Sequence, residues 1–125
     1  MFIKLEGYDR CYEAKQQFGK DTYYLFGLVE DNRVWFLMSS GNKRKYIDIF
    51  EEKDYKSKAG LKGLIWARDA MLTFTDQYPK LGIRKLCLSA SDSRRWRIYK
   101  AKLNKYGFFQ ERYKGKMILV KNIWK

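Results

Sequence analysis

A chain of 125 residues is the size of one domain and is long enough to bury a core without disulfides or metal. Its 46% hydrophobic and 18% aromatic content excludes a disordered tail, and Pro79, the sole proline, marks no linker, so residues 1–125 read as a single domain. The net charge of +13 sits almost wholly beyond Pro79: residues 1–79 hold 13 Lys and Arg against 12 Asp and Glu, whereas residues 80–125 hold 14 against 2. A back half of that sign attracts polyanions and repels free polyamines or lysine-rich substrates.

Residues 1–5 predict a short strand. They lack the basic-then-apolar layout of a signal peptide, and no window reaches the eighteen apolar residues of a membrane span, so a cytoplasmic protein is expected. Residues 9–17 predict a short helical or irregular segment, capped by Asp9 and ended near Gly19. Residues 22–29 and 33–38 are rich in aromatic and branched side chains and flank Glu30-Asp31-Asn32, which predicts a hairpin. Residues 45–50, after the polar Ser39-Ser40-Gly41-Asn42, predict a third strand of the same meander.

From Leu61 the period changes. Leu61, Leu64, Ile65, Met71 and Leu72 recur at helical spacing until Pro79 and Gly82 stop the run. Residues 84–89 predict a strand, expected to lie parallel to residues 45–50 through a right-handed crossover. In it, Cys87 between Leu86 and Leu88 reads as a small core residue rather than a nucleophile. Ser91-Asp92-Ser93 then caps a second helix. Trp96, Tyr99, Leu103 and Tyr106 share one arc of that helix and form its core stripe. Arg94, Arg95, Arg97, Lys100, Lys102 and Lys105 fall on the remaining surface. Residues 108–113 and 116–123, joined across Lys114-Gly115, predict a closing hairpin. Neither Cys11 with Cys87 nor the histidine-free remainder of the chain supplies a metal site, so none is expected.

These elements make an α/β (α+β) domain: a single mixed, mostly antiparallel sheet with two main helices, in the order β-α-β-β-β-α-β-α-β-β. That order, with a strand at Leu86-Cys87-Leu88-Ser89-Ala90, a capped helix and Gly107-Phe108 leading into the last hairpin, resembles the Gcn5-related N-acetyltransferase family. The likeness in residues is confined to about positions 45–109.

The resemblance implies an acyl-CoA pyrophosphate held by a basic residue and a glycine turn at the start of the long helix. The matching places are Lys56, Lys58, Gly60 and Gly63, although Lys62 occupies the second small position, with Arg94 or Arg95 as further contacts. It implies a tyrosine acid four residues before the Gly-Phe, where this chain has Leu103; Tyr99, one turn earlier, is the nearest candidate. It implies a strand carboxylate as base, for which Asp48, with Glu51 or Glu52 after it, is the candidate.

Three functions compete on these grounds. An acyl-CoA-dependent N-acetyltransferase would use acetyl-CoA, with catalysis by proximity and a strand amide donor. A non-enzymatic module without cofactor would hold nucleic acid or nucleoprotein through Arg94, Arg95, Arg97, Lys100, Lys102 and Lys105, joined by Lys114, Lys116 and Lys121. A protein-docking inhibitor, of the kind small basic phage or mobile-element accessory proteins provide, would bind an acidic partner surface. The incomplete catalytic set favours the second reading.

Overall fold

The computed structural model describes residues 1–40, 58–89 and 93–123, and of these it leaves the side chains of residues 21, 38–40, 58–64, 93–95 and 98 undescribed. Seven strands form one sheet: β1 (Ile3–Lys4), β2 (Cys11–Phe18), β3 (Asp21–Glu30), β4 (Arg33–Ser40), β5 (Lys85–Leu88), β6 (Phe109–Tyr113) and β7 (Lys116–Asn122). Their spatial order is β1-β2-β3-β4-β5-β7-β6. Two helices complete the described residues, α1 (Lys58–Gln77) between β4 and β5 and α2 (Ser93–Leu103) between β5 and β6. The domain is therefore a mixed α+β sheet, antiparallel throughout except where β4 lies parallel to β5.

The order of elements departs from expectation in its first third. Residues 11–18 are a strand, not the helical or irregular segment read over 9–17. Cys11 to Phe18 pairs residue for residue with Leu28 to Asp21 of β3 and also carries β1 on its other edge. The local composition Glu-Ala-Lys-Gln-Gln favours helix, but two rows of sheet hydrogen bonds override it. The described parallel neighbour of β5 is β4, with Arg33 to Phe36 beside Lys85 to Leu88. β7 pairs with its other side, and residues 45–50, expected to run parallel to β5, lie outside the described residues.

Turns set the registers. The β6–β7 hairpin closes with Tyr113 opposite Lys116, so only Lys114 and Gly115 turn, and both have positive φ, 48° and 82°. That is the two-residue geometry whose twist matches its strands, and glycine at the second position meets it without strain.

Period-two alternation then sorts side chains onto two faces. On the first, Leu25, Val34, Phe36, Leu86 and Leu119 are buried beneath Ala67, Met71 and Phe74 of α1 and Tyr99 and Leu103 of α2. Gly27 permits this packing, since a Cβ there would stand 3.2 Å from Val34 and 3.4 Å from Phe36. On this face α1 touches the 3-10 turn that follows α2 (Asn104–Tyr106): Arg68 donates to the Tyr106 hydroxyl at 2.6 Å and stacks on its ring at 4.4 Å.

The second face carries a smaller cluster of Cys87, Ile118 and Val120 with Trp35 and Tyr113 against it. Trp35 and Tyr113 lie on strands separated by β5 and β7, about 14 Å apart in a flat sheet. Their ring centres are 5.2 Å apart, and the Tyr113 hydroxyl donates to Glu30 on β3 at 3.2 Å. The β6–β7 end therefore coils over this face, as cumulative strand twist requires.

Candidate nucleic-acid interface

The core stripe of α2 is where its spacing placed it. Leu103 is fully buried and Tyr99 nearly so, while Trp96 and Tyr106 are half-buried against the core. Fixing that stripe leaves Arg97, Lys102 and Lys105 exposed. Lys100 is half-buried, its ammonium 5.7 Å from the Trp96 ring centre, and Lys105 sits 5.7 Å from that of Tyr106. Such contacts lay the aliphatic stems along aromatic surface and keep the charged heads in water. Arg94 and Arg95 belong to the first turn of α2, but their side chains lie outside the described residues.

The hairpin adds further cations. Lys114 and Lys116 are exposed on either side of Gly115, and Lys114 stands 5.4 Å from the Tyr113 ring centre. Lys121 of β7 is half-buried and passes close to Gly107, its Nζ 2.7 Å from where a Cβ would sit. Arg112, exposed on β6, joins them although the sequence reading did not single it out.

Charge balance in this half turns on one carboxylate. Glu111 accepts from Lys85 Nζ at 3.0 Å and from Arg33 Nη1 at 3.0 Å, and those two bonds hold its carboxyl below the usual range, the Lys85 bond first. Asp92, the only other acid beyond Pro79, lies outside the described residues. Consequently Arg97, Lys100, Lys102, Lys105, Arg112, Lys114, Lys116 and Lys121 have no carboxylate partner among the described residues. The Arg33–Lys85–Glu111 group was not legible in the sequence. Strand register makes it, by setting Arg33 beside Lys85 and bringing the coiled β6 over both.

Arg33 also donates to the Cys87 sulfur at 3.5 Å and stacks on Tyr113 at 4.6 Å. Burial pushes the Cys87 thiol up despite that guanidinium, so it stays protonated, a core residue as read from the sequence. Cys11 is half-buried, free, and likewise pushed up by burial.

The residues implied for acyl-CoA chemistry are not brought together among the described residues. Asp48, Glu51, Glu52 and Lys56 lie outside them. Lys58, Gly60 and Gly63 fall in the opening turns of α1, with the Lys58 side chain undescribed. Tyr99 is 7% exposed and packed in the core between α2 and the sheet. Among the described residues no cluster of three His, Cys, Asp or Glu is placed to hold a metal, and no helix is long and apolar enough to cross a membrane. Comparison with family models, with curated proteins and with solved structures finds no match for this chain.

Proposed function

We propose that this domain is a small basic module that holds nucleic acid or a nucleoprotein complex through α2 and the β6–β7 hairpin, without catalysis and without a cofactor. One observation carries the reading. The single described carboxylate of the C-terminal half is consumed by Arg33 and Lys85, so the exposed cations that follow Ser93 have no carboxylate partner among the described residues. Unpaired cations fixed on rigid elements act as separate phosphate contacts, and each contact releases counterions. Sequence selectivity is then weak and salt dependence steep.

Anisotropy of a labelled oligonucleotide across a salt series tests this. Arg97→Ala combined with Lys102→Ala should flatten the log-log slope by roughly 1.4 to 1.8 units, from about 0.7 per contact on a single strand or 0.9 on a duplex. An unchanged slope in a folded double variant ends the assignment.

The acyl-CoA-dependent N-acetyltransferase reading is the alternative, and one observation favours it. Among the described residues the closing elements from α1 onward run α-β-α-β-β, the order expected from the resemblance for this part of the chain, and Gly60 and Gly63 fall in the opening turns of α1. Calorimetric titration with acetyl-CoA separates the two: micromolar binding revives the enzyme, and no heat removes it.

A further inference from the structure

We propose that Glu111 is an autoinhibitory counter-anion: its carboxylate occupies a two-cation phosphate site made by Arg33 and Lys85 and so keeps that site out of the polyanion interface. The inference rests on the polyanion reading above and concerns two cations which that reading leaves aside.

Register builds the site before any anion enters it. Arg33 of β4 and Lys85 of β5 are direct partners across the parallel pair, so two positive charges face the same side of the sheet on adjacent strands. Like charges so placed repel, and an anion between them removes that cost. Arg33 is further fixed by donating to the Cys87 sulfur at 3.5 Å and by stacking on the Tyr113 ring at 4.6 Å. The carboxylate comes from elsewhere. Glu111 belongs to β6, which pairs with neither strand because β7 lies between. Its two oxygens are shared out, Oε2 accepting from Arg33 Nη1 and Oε1 from Lys85 Nζ, both at 3.0 Å, as two oxygens of one phosphate would. Glu30, the register partner of Arg33 on β3, accepts instead from the Tyr113 hydroxyl at 3.2 Å. Among the described residues Glu111 therefore bridges the two cations alone.

Position makes this pair a neighbour of the interface. Lys114 stands 5.4 Å from the centre of the same Tyr113 ring on which Arg33 stacks, so the plugged site borders the hairpin cations. Water already reaches it: the side chains of Arg33, Lys85 and Glu111 are 17%, 29% and 25% exposed. Two charge-assisted bonds hold the carboxylate there, and a phosphate has to break both before it makes either. Arg33 and Lys85 are thus silent in the salt dependence of the wild type.

Anisotropy of a labelled duplex oligonucleotide across a salt series, on variants whose melting is checked first, tests the plug. Glu111→Gln should tighten binding and steepen the log-log slope by roughly 1.8 units, from about 0.9 for each of two new phosphate contacts. Glu111→Thr, with a side chain that suits a strand, should do the same if the amide disturbs the fold. Asp76→Asn, which removes an equal charge from an exposed position on α1, should leave the slope unchanged. Lys85→Gln should leave it unchanged in the wild type and take back about 0.9 units in the Glu111→Gln background. A slope unmoved by both folded Glu111 variants, or a Lys85→Gln loss equal in the two backgrounds, overturns the plug, while the Arg97 and Lys102 pair still judges the cationic flank by itself. A gain in Glu111→Gln that Asp76→Asn matches is an effect of net charge and overturns it too. Absence of oligonucleotide binding in the wild type and Glu111→Gln alike overturns both readings.

Discussion

Leu103→Ala, set against Lys102→Ala one residue away, isolates the packing of α2 from its charge. Leu103 is fully buried between the helix and the sheet, whereas Lys102 is exposed. Truncating leucine to alanine removes three carbon groups, worth about 0.8 kcal/mol each in transfer alone. The cavity left in a rigid core raises the cost to about 3–5 kcal/mol. Lys102→Ala removes no buried contact and should stay within about 0.5 kcal/mol. Unfolding entropy of about 2.1 cal/mol/K per residue over this chain makes each kcal/mol worth roughly 4 °C. Thermal melts by circular dichroism should therefore show Leu103→Ala about 10–20 °C below wild type and Lys102→Ala within about 2 °C of it. Equal shifts, or a Leu103→Ala melt close to wild type, would mean that α2 is not fastened to the sheet by this stripe, and the exposure of its cations would lose its physical basis.

Acid titration offers a second check. Glu111 has its folded pKa depressed by Lys85 and Arg33, so its contribution to stability is fully present above the ordinary glutamate range near 4.3 and is lost as pH falls through the folded value. Glu111→Gln should flatten the pH dependence of chemical-denaturation midpoints below about pH 4.5, and an unaltered profile would remove the ion pairs from the account. Gly107→Ala should destabilise by about 1 kcal/mol or more, because φ there is 90° and an alanine Cβ also meets Lys121; a neutral urea midpoint would contradict that strain. Thiol labelling of the native protein at pH 8 should modify half-buried Cys11 well before Cys87, and equal rates would refute the burial of β5.

What the sequence disclosed follows from how local each signal is. The β3–β4 and β6–β7 hairpins were legible because turn residues and branched strands sit side by side in the chain. The stripe Trp96, Tyr99, Leu103 and Tyr106 was legible because helical period is a local property. β2 was not, because Tyr12, Glu13 and Ala14 are buried in succession and leave no alternation to read; pairing with β1 and β3 alone makes the segment a strand. That β4 is the parallel neighbour of β5 was not legible either, because the two strands meet only across α1, far apart in the chain. The cations of the candidate interface were countable from the start. That Glu111 neutralises Arg33 and Lys85, and so leaves the others without a carboxylate partner among the described residues, depends on contacts 78 and 26 residues apart.

The placement of β7 between β5 and β6 has a consequence for synthesis. As the chain leaves the ribosome, β1 to β4 arrive as consecutive neighbours and can pair through short turns. β5 emerges to find its parallel partner waiting, yet its other edge has no mate until residues 119–122 follow. A nascent chain whose residues 85–88 have emerged while residues 116–122 have not would present the unpaired backbone of Lys85 to Leu88, with the side chains of Leu86 and Cys87, as a template for foreign strands. Folding of this domain is therefore gated by its late-emerging hairpin, and chaperone capture should be strongest while residues 116–122 are still inside the exit tunnel and fall once Asn122 has cleared it.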